Sequence, residues 1–529
     1  MGSTPGPERS SGTSSSPWLG PDWPVGSQPL SYDLEADVCV VGGGIAGVTT
    51  ALLTLLEGKN VILLEDGALG SGETGRTTAH LASALDDRFS RLERLHGERG
   101  VRLAYESHAA AIDKIEFLVD KHGIDCGFER LDGYLFVPPG ESPEVLEDEL
   151  EAVHRMGLRG VRALKRAPLD GFDTGPCLVF PRQAQFHPIL YLRALASLVA
   201  RHGGQIFERT HVEEFESGDR VLVRVRGGRT VRARALVIAT NAPIVSRVSV
   251  PLRQFAYRSY AIGLRVPKGS VRKALYWDTA DPYHYARLQD LGADDLLIVG
   301  GEDHKTGQAE GEDAHARYAR LEAWTRERFP AAGNVEYVWS GQIMEPADGL
   351  AFIGRHRPAG ENVFIATGDS GHGMTHGTIA GLLLRDLIAG RENPWADLYD
   401  PGRLTLRSIG EIARENLNVL PQYGKWLTGG QTKTAQGIPR GEGRVLRHGL
   451  KKLACYRDDA GGLCHFSAAC PHLGAVLTWN AAEKTWDCPA HGSRFSALGK
   501  VINGPANTDL KRVAAPRSRT KKPSRKRSA

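Results

Sequence analysis

Between Asp37 and Glu65 the chain reads DVCVVGGGIAGVTTALLTLLEGKNVILLE: an apolar run broken by glycines, apolar positions at helical spacing, then a second apolar run. Short apolar runs bounded by turn residues suit strands buried on both faces, and the recurrence between them suits a helix packed on those strands. The segment therefore predicts strand, tight turn, helix, strand. Further along, QAQFHPILYLRALA (183–196), SYAIGLRV (259–266), YWDTADPYHYARL (276–288) and LLIVGGEDHKTG (296–307) carry an alternating character that predicts strands of a second sheet. After PWADLYDPGRLTL (394–406), SIGEIARENLNVL predicts a helix, and the Gly/Thr/Gln-rich WLTGGQTKTAQGIPRGEG reads as a linker. From about residue 440 the period changes to short strands with turn signals between them, Asp458 to Gly462 reading as a hairpin turn.

Length and composition extend this picture to several domains. A chain of 529 residues exceeds one ordinary core, and 41% hydrophobic with 24% charged residues is ordinary for a globular protein. No stretch approaches the uninterrupted apolar length of a membrane span, so none is expected. The N-terminal MGSTPGPERSSGTSSSPWLGPDWPVG has neither an apolar core of signal-peptide length nor a twin-Arg pair, and residues 1–30 read as a disordered arm. Seven cysteines, an odd number spread along the chain, make no secreted disulfide framework, and a reducing cytoplasm is the expected compartment. The formal charge of +4 misleads, because Arg517, Arg519, Lys521, Lys522, Arg525, Lys526 and Arg527 crowd the end of the chain and the balance without them is negative. Residues 515–529 read as a solvated, disordered basic tail, and nucleic acid is not an expected partner.

Chemistry enters at the first glycines. Gly42, Gly44 and Gly47 form G-x-G-x-x-G, in which the first permits the tight turn, the second lets backbone approach a pyrophosphate, and the third lets helix pack on strand. The phosphate would rest on the helix N-terminus, where free N–H groups and the dipole favour an anion. Glu65, at the end of the second strand, is placed to accept hydrogen bonds from an adenosine ribose. No second motif of this kind follows a later strand, so electrons are expected from an organic substrate and not from NAD(P)H.

This cradle, the loop GSGETGRTTAHL (70–81) with Thr74, Thr77 and Thr78, the strand ALVIATNAP (235–243), and NVFIATGDSGHGMTHGTIAG (362–381) with Gly368, Gly371, Gly373 and Met374 together resemble the FAD-dependent amine and amino-acid oxidase superfamily, the group of glycine, sarcosine and D-amino acid oxidases. The resemblance spans roughly residues 35 to 400 and implies FAD held by these residues. It also implies that the intervening region is a substrate domain, a mixed sheet over the isoalloxazine, with His304, Glu302, Tyr285 and Tyr283 near the flavin ring. The residues alone leave open a solvated, charged turn at Glu302 to Lys305. Arg76 stands where relatives with a tethered flavin carry a His, which implies non-covalent FAD. Leu297 and Ile298 stand where sarcosine oxidases that reduce oxygen quickly carry a Lys, which favours a dehydrogenase over an oxidase. His372 and His376, four apart at a helix start, have metal-pair spacing but read as loop hydrogen-bonding residues.

The stretch CPHLGAVLTWNAAEKTWDCPAHGSRF (470–495) sets Cys470 with His472 and Cys488 with His491. Zinc accepts two Cys and two His, but a zinc finger places its His pair together on a helix, whereas here each loop gives one Cys and one His. That symmetry suits two irons treated differently, one held by thiolates and one by imidazoles. CPHLG, CPAHGSRF and the following GPA closely resemble Rieske 2Fe-2S domains. In the high-potential members each loop carries an extra Cys and the two form a disulfide; this chain has Ala475 and Ala490 at those positions. The Tyr that points at a ligand sulfur is Phe495 here, while Ser493 remains, so an intermediate or ferredoxin-like potential is expected.

The expected architecture is an α/β FAD-binding, Rossmann-like domain with an inserted mixed-sheet substrate domain (31–400), a helical linker (401–437) and a small all-β Rieske domain (438–514). A flavoprotein followed by a Rieske domain resembles bacterial FAD-dependent oxidoreductases built the same way. The expected function is oxidation of an amine, amino acid or similar small substrate by FAD, with one-electron transfer through the Rieske cluster to or from a ferredoxin or cytochrome. The alternative is an electron-transfer or redox-sensing protein serving a partner enzyme. A mononuclear-iron oxygenase is disfavoured, since no Asp/Glu-x-x-His-x4-His segment stands out.

Overall fold

The computed structural model describes residues 11–20, 27–244, 250–308, 315–427, 429, 431 and 434–514. The basic tail lies outside them. The first sheet grows from the predicted unit: β1 (Leu34–Val41), α1 (Ile45–Leu55) and β2 (Val61–Leu64). β1 pairs in parallel with β2 on one side and with Thr230–Ile238 on the other. The order of strands therefore reverses at β1, and the crevice beyond its carboxyl end is where a doubly wound sheet takes a ligand. Val363–Thr367 extends the sheet beside Thr230–Ile238. All four residues of β2 are buried, as two covered faces require.

Among the described residues the second sheet has nine strands and runs mostly antiparallel, its long members being Gln254–Pro267, Asp294–Lys305 and Val335–Pro346. Leu275–Asp278 pairs in parallel with Glu129–Phe136, which makes the sheet mixed. The stretches at 259–266, 276–288 and 296–307 fall on its strands. The stretch at 183–196 does not. The strand Cys177–Gln185 ends within it and a helix, Pro188–Arg201, takes the rest. Pro188 sits in the first turn and the His187 side chain accepts from the Leu190 N–H, the combination that starts a helix. Ile189, Leu192, Leu195, Leu198 and Val199 are buried at helical spacing, a period of 3.6 that a short window mimics as alternation.

The N-terminal arm is a second correction. Residues 11–20 pack against both domains: Trp18 is 3% exposed, its Nε1 donates to Thr77 O at 2.6 Å, and Ser16 Oγ donates to Gly75 O at 2.5 Å. An extended strap bonded through hydroxyls and main chain leaves no periodic trace in the sequence, so only Trp18 could have announced it.

The helix Ile409–Gly424 follows the flavoprotein fold, and Val419, Tyr423 and the nearby Trp426 pack on the core of the last domain. That domain consists of Glu442–His448, Lys451–Arg457 and Leu463–Ser467 in one sheet and four strands from Thr478 to Asn503 in another. The Asp458–Gly462 hairpin closes through Gly462 N donating to Asp458 Oδ1 at 2.6 Å. All seven cysteines are unpaired. Among the described residues no helix is long and apolar enough to cross a membrane.

Candidate functional site

The turn after β1 is built so that only glycine fits. Gly42 has φ +112, and a Cβ there would stand 2.3 Å from Ala239 O. A Cβ at Gly47 would stand 1.9 Å from Gly42 O, so α1 can press onto the turn only as drawn. At Gly44 the nearest atom to a Cβ would be Thr74 Oγ1, which accepts from Ile45 N at 3.0 Å. Glu65 accepts from Gly43 N at 2.6 Å and Gly67 N at 2.8 Å. Burial nevertheless pushes its carboxyl up to about 7 against those two bonds. One large cavity opens from this turn, and Gly42, Gly44, Glu65, Thr74, Thr77, Thr78, Gly368, Gly371, Gly373 and Met374 all line it. Backbone N–H groups, an acid and a floor with no side chains match the needs of a dinucleotide.

The far end of the cavity is acidic and aromatic. Tyr285 lines it, with its hydroxyl 3.1 Å from Ser259 Oγ. Tyr283 stands behind, donating to Asp86 Oδ2 at 3.1 Å, and a Cβ at Gly371 would meet that same Asp86 oxygen at 2.9 Å. Glu302 and His304 do not line the cavity. Glu302 accepts from Arg320 Nε at 2.6 Å and is fastened to the helix Ala316–Arg328, while His304 stacks on Tyr260 with ring centroids 5.7 Å apart. Asp303, between them, is the acid on the Ser259 side. Burial pushes its carboxyl up to about 7, and likewise pushes that of Glu345 to about 8, each raised further by the other acids nearby. Register shifts between Arg258 and Tyr260 where the two strands pair, and Glu302 has φ +58. This bulge turns the acids in a way that simple alternation does not anticipate. His372 Nε2 accepts from Asp86 N at 2.9 Å and His376 Nδ1 lies 2.8 Å from Asp369 O, so the two histidines serve separate hydrogen bonds.

In the last domain the two ligand loops share one design. Gly474 N donates to Cys470 O at 2.9 Å and Gly492 N to Cys488 O at 3.0 Å, with φ +76 and +78 at the two glycines. Each loop therefore folds back at the same point and presents its Cys and His to the other. The Cys470 and Cys488 thiols touch, and the His472 and His491 rings lie 5.1 Å apart between centroids. Thiol faces thiol and imidazole faces imidazole, the donor set of an iron pair with unlike ends. N–H groups of His472 and Leu473 and the Ser493 hydroxyl point at Cys470, and those of His491 and Ala490 at Cys488. Phe495 is buried in the domain core.

These two sites are neighbours. Gln342 lines the cavity, and its Nε2 donates to Gly492 O in the second ligand loop at 3.0 Å. Gln308 Nε2 donates to Pro489 O and Thr478 Oγ1 to Gly307 O, both at 3.0 Å. Beneath them Glu483 meets Arg76 at 3.2 Å, and burial alone would raise its carboxyl, but Arg76, Arg258 and Arg494 hold it down at about 2. The N-terminal strap joins in: Ser14 N donates to Glu483 Oε2 at 3.1 Å, and Arg494 donates to Ser11 O at 2.9 Å. Sequence reading missed Asp86, Asp303, Glu345 and this junction. Only Asp303 carried a local signal, as the residue between two candidates.

Comparison with known proteins agrees with the geometry at both ends of the chain. Residues 37–387 match the FAD dependent oxidoreductase family, and residues 431–514 match the Rieske [2Fe-2S] domain family. A Bacillus subtilis protein, YhfW, named as a Rieske 2Fe-2S iron-sulfur protein, is 31% identical over 92% of this chain and 94% of its own length. Gamma-glutamylputrescine oxidoreductase of Escherichia coli is 27% identical over 72% of this chain and 91% of its own. The crystal structure of glycine oxidase from Geobacillus kaustophilus superposes with a TM-score of 0.59 at 21% identity, covering 70% of this chain and 99% of that one.

Proposed function

Because the chain belongs to the FAD dependent oxidoreductase family and ends in a Rieske [2Fe-2S] domain, we propose that it is a dehydrogenase for a small amine or amino acid that exchanges single electrons with an external carrier such as a ferredoxin or cytochrome. The cradle at Gly42, Gly44 and Glu65 would hold FAD and Cys470, His472, Cys488 and His491 would hold the 2Fe-2S cluster; when bound, the flavin would supply hydride acceptance from a C–H next to nitrogen and the cluster one-electron transfer. The observation that carries the reading is Gln342, which lines the cavity and bonds the loop holding Cys488 and His491. One residue spans the wall between the two redox sites.

The chain's own groups suit an amine. Asp86, Asp303 and Glu345 gather with Tyr283 behind the cavity-lining Tyr285, Ser259 and Gly371, and ionised carboxylates there would draw and orient a cationic nitrogen. Burial raises the Asp303 and Glu345 carboxyls to about 7 and about 8, so that in their ionised forms they are bases strong enough to take a proton from it near neutral pH. The name of the E. coli relative points the same way. Arg76 is committed to Glu483 and offers no attachment point, in keeping with non-covalent FAD. Leu297 and Ile298 are buried and apolar, in keeping with a dehydrogenase.

The test is a panel of amines and amino acids added to the full-length protein under nitrogen, followed by visible absorbance. Bleaching of the flavin by some member at a catalytic rate is expected. If dithionite reduces the flavin and no member does, the protein senses or relays electrons and the proposal fails.

A further inference from the structure

We propose that the Rieske domain is a structural part of the FAD site: its segment 501–507 closes the outer wall of the cavity, so that FAD binding and docking of the cluster domain form one linked equilibrium. The inference concerns the cofactor and holds whatever the substrate.

The cavity that starts at Gly42 is lined from the other side by Val501, Asn503, Gly504 and Asn507. These residues are bonded down. Asn507 Nδ2 donates to Val212 O and Glu213 O, each at 2.9 Å, and Asn507 O lies 3.3 Å from His211 Nε2. His211 Nδ1 is in turn 3.1 Å from Asp66 Oδ2, next to Glu65, so the segment lies over the end of the cavity that Glu65 marks. Asn503 Nδ2 donates to Glu73 Oε1 at 2.9 Å, and Glu73 precedes the cavity-lining Thr74. Between the two asparagines the backbones meet: a Cβ at Gly504 would stand 2.9 Å from Ala242 O.

A dinucleotide held in this cavity has the flavoprotein fold on one side and the cluster domain on the other. Undocking the domain breaks the Asn503 and Asn507 bonds and opens that wall, while bound FAD adds contacts that exist only in the docked form. Linkage makes the effect reciprocal, so the factor by which docking tightens FAD equals the factor by which FAD tightens docking. The Arg76–Glu483 pair and the strap at Ser11 and Ser14 hold the same docked form from beneath.

Two measurements on the full-length protein test this. Limited trypsin digestion of wild-type apoprotein and of the same sample reloaded with FAD reads docking as cleavage between the domains. FAD is expected to slow that cleavage by roughly tenfold, and rates equal within about twofold would overturn the proposal. Titration of apoprotein with FAD, followed by flavin fluorescence, reads the converse in Asn503→Asp, which faces Glu73, and Asn507→Asp, which faces two carbonyls. Weakening of FAD binding by roughly tenfold is expected with the visible circular dichroism of the cluster unchanged; unaltered affinity in both variants would overturn it. If either variant fails to fold, the wild-type digestion decides alone.

Discussion

Arg76 and Glu483, 407 residues apart in the sequence, form an ion pair at 3.2 Å with side chains 1% and 0% exposed. One comes from the loop beside the dinucleotide cradle and the other from the cluster domain. Neutralising Glu483 removes a buried counter-charge from Arg76, Arg258 and Arg494 together, which costs about 3–5 kcal/mol. Glu483→Gln is therefore expected to lower stability by that order in urea unfolding, and Arg76→Met with Glu483→Met together to recover much of it. The carboxyl is held at about 2, below its ordinary 4.5, so its stabilisation is complete above about 4.5 and is lost as pH falls toward 2. Glu483→Gln should flatten that part of the acid unfolding profile.

Asp303 and Glu345 titrate near 7 and 8 because burial penalises their charged forms. Holding a cationic amine requires them ionised, so KM for the substrate is expected to fall as pH rises through 7 to 8. Asp303→Asn should weaken the pH dependence and raise KM by about 10- to 100-fold, the value of one charge-assisted hydrogen bond. Steady-state kinetics across pH checks both.

A methyl group at Gly42 cannot coexist with Ala239 O at 2.3 Å. Gly42→Ala is expected to leave the purified protein without flavin colour while iron and acid-labile sulfide persist. Cofactor analysis of the same sample separates the two.

Phe495→Tyr should offer Cys470 or Cys488 a hydroxyl that the buried phenyl lacks. A hydrogen bond to a charged sulfur near 1.5 kcal/mol would raise the cluster potential by about 60 mV. Redox titration followed by electron paramagnetic resonance reads the shift.

Local signals marked both redox sites. The Gly42, Gly44 and Gly47 spacing and the two Cys/His loops are each complete within a short stretch; the structure sets Gly42 and Gly44 at the cavity, packs Gly47 against Gly42 O, and brings the two Cys/His loops together. Long-range geometry was not legible. Glu302 and His304 stood out by residue type, yet neither lines the cavity, and past a bulge in the strand pairing it is Asp303 that meets the cavity-lining Ser259. Pro188 was a helix-start signal inside a run read as a strand. The strap at Ser11 to Trp18 and the Asn503–Asn507 wall act through main chain and short polar side chains whose partners lie hundreds of residues away, and no periodicity records such pairings.

The central claim is that electrons pass between FAD and the cluster within one chain, across the wall that Gln342 spans. The direct measurement is anaerobic rapid mixing with a reducing substrate, with flavin absorbance and the reduced-cluster paramagnetic signal followed over a range of protein concentrations. The account predicts that the cluster signal rises as a first-order process whose rate does not depend on protein concentration. A rate that scales with concentration, or a cluster that stays oxidised while the flavin is reduced, would contradict it.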